Sequence, residues 1–221
     1  MTLAIFDLDN TLIAGDSDHL WGEFLCAEGV VDEATFRTAN ESFYADYQRG
    51  ELDITAYLNF ALAPLAGRAP QDLQALQHRF IRDCITPILL PAAQELIQKH
   101  RDQGDRLLII TATNEFVTKP IAALLGIDEL LGCAVEIKDG LLTGNPTGTL
   151  TYREGKVQRL REWLASEDET LEGAWFYSDS HNDLPLLEIV DNPVLVDPDP
   201  TLALHGSERG WPQMSLRASS V

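Results

Sequence analysis

The chain has 221 residues, 45% of them apolar and 23% charged, which is enough for one sizeable core and ordinary for a globular protein. Its net charge of −19 disfavours nucleic acids and anionic membrane surfaces as partners, because like charges repel. No apolar stretch approaches the roughly 20 residues that span a bilayer, and three scattered cysteines predict neither a disulfide nor a zinc site. We therefore expect a cytoplasmic protein of enzyme size, whose oligomeric state stays open.

Short apolar runs followed by turn or helix-start residues predict four buried strands, at residues 3–6, 107–110, 174–177 and 193–196. Helical patterns such as FVTKPIAALL and GKVQRLREWLA lie between the last three. This alternation predicts an α/β fold with a doubly wound, Rossmann-like parallel sheet. A β-hairpin is predicted to turn at Asp139 and Gly140, and the polar segment after Gly206 is predicted to be loosely held.

About a hundred residues separate the first two predicted strands, far more than a simple crossover needs. Four helix-like stretches fill this gap, and glycines at 29, 50 and 67 mark the joins. The pattern predicts a helical bundle, residues 16–86, inserted into a core formed by residues 1–15 and 87–221.

Reactive side chains follow the predicted strands, where open α/β sheets bind their ligands. They are Asp7, Asp9, Thr11, Thr111, Lys156, Asp179 and Asp183. Two carboxylates about 4 Å apart repel by roughly 4 kcal/mol at an effective dielectric near 20, and Mg²⁺ would relieve that repulsion while bridging to a substrate phosphate. Thr111, Lys156 and the helix amides after TATN could hold the phosphate. The pattern predicts a magnesium site for a phosphorylated small molecule.

Each of these blocks has a plainer interpretation when it is taken alone. D-x-D-x-T could be a turn cap, Thr111 a helix cap, and Lys156 a solvated helix charge. A signalling phospho-acceptor or a non-catalytic binding protein would use similar residues. The occurrence of all the blocks in order, each beside a predicted strand or helix start, favours an enzyme.

In that order the blocks resemble the four motifs of the haloacid dehalogenase-like superfamily of phosphatases, over nearly the whole chain. The resemblance implies that Asp7 is the nucleophile and Asp9 the general acid/base. It implies that Thr111 and Lys156 bind the phosphate. An aspartate at position 9 is typical of the phosphatases in this superfamily and not of its dehalogenases.

The resemblance also implies a metal site. Mg²⁺ would be held by Asp7, by the backbone carbonyl of Asp9 and by Asp179, with Asp183 in support. Asn182 would touch the phosphate or the lysine. Two departures from the usual motifs, YSDS and TATN, remove no reacting group.

The insertion directly after the first motif resembles the C1 cap of subfamily IB, the branch that contains phosphoserine phosphatase and some histidinol-phosphatases. In that resemblance Asp16 binds the substrate's ammonium, but Ala61 stands where an arginine would bind its carboxylate. We therefore expect a phosphorylated amino alcohol, namely L-histidinol phosphate, whose imidazole could stack on Trp21 or Phe60. Phosphoserine is the alternative if Arg49 supplies the missing cation.

Overall fold

The computed structural model describes residues 2–217, whose strands form one seven-stranded sheet. The strands are β1 (Leu3–Phe6), β2 (Arg106–Asn114), β3 (Glu129–Lys138), β4 (Leu141–Thr147), β5 (Trp175–Ser178), β6 (Asn192–Val196) and β7 (Gln213–Met214). Their order is β4-β3-β2-β1-β5-β6-β7, and all neighbours are parallel except β3 and β4. The predicted α/β fold with its parallel core sheet is confirmed.

Strand β1 lies at the centre of the sheet and is apolar on both faces. Ala4 and Phe6 belong to one apolar cluster, while Leu3 and Ile5 belong to another on the opposite face. Successive side chains of a strand point to opposite faces, so an unbroken apolar run is what a strand covered on both sides requires.

The helices divide between a long insertion and the core. In the insertion they are α1 (Ser17–Ala27), α2 (Glu33–Gln48), α3 (Ile54–Leu62) and α4 (Gln74–Phe80); in the core they are α5 (Pro91–Asp102), α6 (Glu115–Leu125), α7 (Glu154–Glu167), α8 (Leu184–Leu187) and α9 (Pro200–Arg209). Asp16, Asp32 and Asp53 accept amide hydrogen bonds at the starts of α1, α2 and α3. These aspartates are the N-cap residues that helix starts prefer.

The insertion is packed against the core through aromatic side chains. Trp21 and Phe24 of α1 lie with Phe80 of α4 and Phe116 of α6 in one buried cluster. The chain enters and leaves the insertion side by side, because the Ala14 amide donates to the Ile88 carbonyl at 2.8 Å. Helices α1 and α4 are therefore anchored on the face of the sheet to which Ala4 and Phe6 of β1 point.

The predicted hairpin is confirmed between β3 and β4. Asp139 and Gly140 have φ of 52° and 79°, the left-handed pair of a type I′ turn. The first half of β3, before the hairpin, pairs in parallel with β2. The sequence did not predict this part of the strand.

The prediction of a loosely held segment after Gly206 is wrong for the part that is described. Helix α9 continues through Gly206, where a Cβ would come within 2.3 Å of Leu195 Cδ1, so the helix lies directly on β6. Strand β7 then pairs with β6, and Leu216 is buried. Residues 218–221 of the predicted segment lie outside the described residues. Between residues 2 and 217, none of the helices has the length and apolar character to cross a membrane.

Candidate active site

Strands β1, β2 and β5 are neighbours in the sheet, so their carboxyl ends bring distant parts of the chain together. Asp7 follows β1, Thr111 lies on β2 and Asp179 follows β5. Lys156, in the first turn of α7, donates to Asp7 Oδ1 at 2.8 Å and to Asp183 Oδ2 at 2.9 Å. These predicted residues thus surround one point at the edge of the sheet.

Lys156 is buried with 3% of its surface exposed, and its two carboxylate partners are equally buried. Burial lowers the pKa of Lys156, but the charges of Asp183 and Asp7 outweigh burial and raise it above its ordinary value. The ammonium therefore stays charged across the physiological range. Asp183 also accepts from Ser178 Oγ at 2.7 Å, which holds it against the lysine.

Gly155 lets Lys156 reach this position. A Cβ on Gly155 would lie 1.9 Å from the Leu150 carbonyl oxygen, so any other residue would push the start of α7 away from the preceding loop. The glycine is therefore required by a close approach of two backbone segments.

Asp9 has hydrogen-bond donors on both carboxylate oxygens. The Ser17 amide donates to Oδ1 at 2.6 Å, and Thr113 Oγ1 donates to Oδ2 at 2.9 Å, with Thr111 Oγ1 farther away at 3.4 Å. Burial, followed by the charge of Asp16, raises the pKa of Asp9 to about 6. A carboxyl group with this pKa can hold a proton at the start of a reaction and take it back later.

The Asp7 carboxylate is buried and that of Asp179 is half-buried, and both lie in an electronegative environment. Burial raises the pKa of Asp7 to about 7, against the lowering effect of Lys156. Burial and then the charge of Asp7 raise the pKa of Asp179 well above its usual range. Thr11 Oγ1 donates to Asp179 Oδ1 at 3.1 Å and orients it.

Two carboxylates that repel each other in this way fit a hard divalent cation. Within residues 2–217 no group of three His, Cys, Asp or Glu side chains encloses a metal position by itself. The Asp7 and Asp179 side chains with the Asp9 carbonyl would supply an open set of oxygen ligands, and Mg²⁺ commonly binds such sets because it keeps several waters.

Asn182 connects the core to the insertion. Its Nδ2 donates to the Tyr47 carbonyl at 3.2 Å, and its Oδ1 accepts from the Tyr152 hydroxyl at 3.1 Å. Arg153 makes a parallel connection, because its guanidinium donates to the Gly50 carbonyl at 3.0 Å. Asn182 has no hydrogen bond to Lys156 in the described part of the chain.

A partly enclosed cavity opens beside these carboxylates. Its walls come from the ends of β1 and β2 and from α1, α2 and α3; they include Asp7, Asp9, Asp16, Asp18, His19, Asn40, Phe43, Tyr44, Tyr47, Leu52, Ile54, Tyr57, Thr111, Ala112 and Thr113. No lysine or arginine from the described residues is in this wall. The wall is acidic near the sheet and largely aromatic or aliphatic on the side of the insertion.

Asp16 lines the cavity, as the sequence predicts for a substrate ligand, and it also caps α1. Its Oδ1 accepts the amides of Asp18 and His19 at 3.0 and 2.8 Å. Arg49 does not line the cavity, because its guanidinium pairs with Asp46 and Glu51. The cation that would favour phosphoserine is therefore not supplied from this position.

The prediction that Trp21 or Phe60 stacks on the substrate is wrong. Trp21 is 2% exposed and lies in the apolar core, with its ring centroid 5.0 Å from that of Phe80. Phe60 stacks on Phe36 at 4.3 Å, outside the cavity wall. Ala61 is also buried, in an apolar cluster with Cys133, so its side chain does not face the cavity either.

Sequence reasoning missed Asp18 and Thr113. Thr113 could have been found from Thr111, because alternate residues of a strand share a face. Asp18 lies in the first turn of α1, two residues after Asp16, the predicted substrate ligand. Its carboxylate accepts a hydrogen bond from Asn114 Nδ2 at 3.0 Å. Burial and then the charge of Asp16 raise the pKa of Asp18 well above its ordinary value.

The mostly parallel sheet thus carries two aspartates and a buried lysine at its carboxyl edge. The model of the haloacid dehalogenase-like hydrolases matches residues 4–188, and the chain belongs to this family.

The chain is similar to three known proteins over most of its length. The chain is 47% identical over 219 residues to a histidinol-phosphatase of Neisseria meningitidis serogroup C (strain 8013), covering 97% of this chain and 99% of that protein. It is 34% identical to a phosphoserine phosphatase of Mycobacterium tuberculosis (strain ATCC 25618 / H37Rv), covering 94% and 68%. A solved structure of a Bordetella pertussis Tohama I protein with unknown function has a TM-score of 0.92 at 41% identity, covering 98% and 100%. The chain is a phosphatase.

Proposed function

We propose that the protein is a Mg²⁺-dependent, cytoplasmic phosphomonoesterase that hydrolyses L-histidinol phosphate through an aspartyl-phosphate on Asp7. The observation that carries the substrate assignment is the cavity wall, which has acids at Asp16 and Asp18 and, within the described chain, no lysine or arginine. We further propose that residues 16–86 act as a cap on a core of residues 1–15 and 87–221, and that the cap selects the substrate.

The first step transfers the phosphoryl group to Asp7. A carboxylate oxygen of Asp7 attacks phosphorus, and the bond from phosphorus to the ester oxygen breaks. Asp9 gives its proton to the leaving alcohol oxygen, consistent with its pKa near 6. Lys156 and Thr111 hold the phosphate oxygens in line with the nucleophile.

The second step releases phosphate. The Asp9 carboxylate takes a proton from a water molecule, whose oxygen attacks phosphorus while the bond from phosphorus to Asp7 breaks. Inorganic phosphate leaves, and the proton gained by Asp9 restores the starting state. Splitting one displacement into two through a covalent intermediate is the general advantage of nucleophilic catalysis.

Asp7, Asp179 and the carbonyl of Asp9 would hold the Mg²⁺, with Asp183 in support. When bound, the ion supplies positive charge that neutralises the phosphate oxygens and keeps neighbouring carboxylates ionised.

The substrate assignment follows from charge. Phosphoserine carries a carboxylate that would enter an acidic cavity, where a buried and unpaired anion costs several kcal/mol. L-Histidinol phosphate carries an ammonium and an imidazole in place of that anion, and Asp16 is available for the ammonium. The 47% identity to a histidinol-phosphatase supports the same choice.

The test is kcat/KM for histidinol phosphate beside phosphoserine. We expect a preference for histidinol phosphate of at least about a hundredfold, or roughly 2.7 kcal/mol in transition-state binding. Asp16→Ala should reduce kcat/KM for histidinol phosphate, whereas any residual phosphoserine activity should fall less. Asp16→Asn is the matched variant, because it keeps the helix cap while removing the charge. A preference for phosphoserine would overturn the substrate assignment in favour of phosphoserine phosphatase.

A further inference from the structure

The side of the cavity that the insertion forms is apolar and largely aromatic, so a substrate's aromatic ring could pack against it. Phe43 and Tyr44 of α2, Leu52 in the following loop, and Ile54 and Tyr57 of α3 line it. Phe43 packs edge-on against Tyr57 with centroids 5.4 Å apart, which fixes the orientation of both rings. Neither a phosphate nor an aminoethyl group would occupy this apolar surface.

Asp18 is the acidic group in this part of the wall. It is 6% exposed, and its Oδ1 is held by Asn114 Nδ2 at 3.0 Å. Asn114 is itself fixed, since its Oδ1 accepts the Val117 amide at 3.1 Å at the start of α6. The core thus sets the direction of the Asp18 carboxylate relative to the cavity.

The neighbours of Asp18 include hydrogen-bond donors but no cation. Asn114 and Tyr57 are neutral donors, and Asp16 and Asp9 add negative charge nearby. A positively charged group or a further N–H donor for this carboxyl group would therefore have to come from the substrate.

We propose that Asp18 determines specificity for a substrate with a nitrogen-containing aromatic ring, by accepting a ring N–H while the ring lies against Phe43, Tyr44 and Tyr57. The inference rests on the proposed function and adds a residue role to it: Asp16 takes the ammonium, and Asp18 takes the ring. A substrate without the ring leaves the aromatic wall uncovered and gives Asp18 no donor besides Asn114 and Tyr57. Sites built to hydrogen-bond a substrate group discriminate strongly against analogues that lack that group.

The first experiment compares histidinol phosphate with O-phosphoethanolamine, which keeps the ammonium and the phosphate but has no ring. Asp18→Asn keeps an oxygen acceptor for Asn114 and removes the charge. We expect kcat/KM for histidinol phosphate to fall by at least about thirtyfold, mainly through KM, and the loss on O-phosphoethanolamine to be at least about tenfold smaller. Glu41→Gln is the matched control, since Glu41 is exposed on α2 and lies outside the cavity wall; it should leave both activities unchanged.

Equal losses on the two substrates would mean that Asp18 has only a structural role, and would overturn the inference while leaving the proposed function standing. A wild-type enzyme that does not hydrolyse histidinol phosphate would overturn the proposed function together with the inference.

A second measurement needs no variant and covers the case in which Asp18→Asn does not fold. The experiment measures the inhibition constants of three compounds as competitive inhibitors of the wild-type enzyme. They are L-histidinol and its two derivatives that carry a methyl group on one or the other ring nitrogen. If a ring N–H is donated to Asp18, one methylated isomer should bind at least about tenfold more weakly than L-histidinol. Equal inhibition by all three compounds would overturn the inference.

Discussion

Lys156 balances the charge of two buried carboxylates. It is buried between Asp7 and Asp183 and hydrogen-bonds to both. Because an unpaired buried charge is costly, the lysine needs at least one ionised partner. Replacing Asp7 by asparagine leaves Lys156 paired with Asp183, so the proposed nucleophile can be tested in a folded protein.

We expect Asp7→Asn to abolish turnover of p-nitrophenyl phosphate, because an amide cannot act as the nucleophile. Asp9→Asn should slow both proton transfers. The melting temperature of Asp7→Asn should stay within a few degrees of wild type, measured by circular dichroism. Substantial turnover by a folded Asp7→Asn protein would contradict the covalent mechanism.

Gly155 offers a second test, because it acts through the placement of its neighbour Lys156. A Cβ at 1.9 Å from the Leu150 carbonyl has to displace backbone, so Gly155→Ala should lower the free energy of unfolding by about 1–3 kcal/mol and reduce kcat. Gly29→Ala is the control: Gly29 has φ of 66° and no atom within 4 Å of a Cβ. It should cost about 1 kcal/mol and leave kcat intact. Denaturant titration measures the free energy of unfolding of each variant, and steady-state kinetics measure its kcat. An unchanged kcat in Gly155→Ala would refute the positioning role.

The helices of the insertion attach to the core in two different ways. Helices α1 and α4 share a buried aromatic cluster with Phe116 of α6. The end of α2 is joined to core loops by polar contacts, from Asn182 to the Tyr47 carbonyl and from Arg153 to the Gly50 carbonyl. Deleting residues 16–86 would expose the aromatic cluster, so a whole-cap deletion is a poor test of specificity. These polar contacts of α2 are the ones that a motion of the insertion relative to the core would break most readily.

Trp21 tests whether α1 is an anchor or a substrate-binding element. Trp21→Ala should destabilise the protein by about 3–5 kcal/mol, because it leaves a cavity among Phe24, Phe80 and Phe116. Trp21→Phe should cost less, since Trp21 Nε1 is buried without a hydrogen-bond partner in the described residues and nothing polar is lost. Neither variant, assayed where it is folded, should raise KM for histidinol phosphate. A large rise in KM for Trp21→Phe would show that the ring contacts the substrate.

The architecture of the whole sheet gathers the acids. Strand β1 lies between β2 and β5 in the sheet. It is next to β2 although 99 residues, 7–105, separate the two strands in the chain. Asp7 and Asp179 therefore meet only in the folded chain, where the charge of Asp7 raises the pKa of Asp179 in addition to the effect of burial. A cation that binds both carboxylates should stabilise the folded state.

We expect Mg²⁺ to raise the melting temperature of the wild-type protein and EDTA to remove its activity. At a free concentration one hundred times its dissociation constant, a ligand specific for the folded state adds about 2.7 kcal/mol. Asp179→Asn should lose most of the Mg²⁺ effect on melting. Glu41→Gln, which removes an exposed charge, should retain it. Activity that survives EDTA, or an equal thermal shift in Asp179→Asn, would argue against this metal site.

The local order of the chain could be predicted from sequence because it depends on neighbouring residues. Apolar runs gave the central strands, aspartates at positions 16, 32 and 53 preceded the helices that they cap, and Asp139 with Gly140 marked the hairpin turn. The order of the reactive blocks predicted which residues would gather at the edge of the sheet. Their catalytic roles stay proposals.

Only the tertiary structure decided which side chains face the cavity. Trp21 and Ala61 turned into apolar clusters, while Asp18, Thr113 and Tyr57 lined the wall. The segment after Gly206 is also ordered, because β7 pairs with β6. Helical or strand periodicity identifies a buried face but not what it is buried against. That depends on contacts between residues far apart in the chain, such as Lys156 with Asp7 or Asn114 with Asp18, and these form only when the sheet and the insertion pack together.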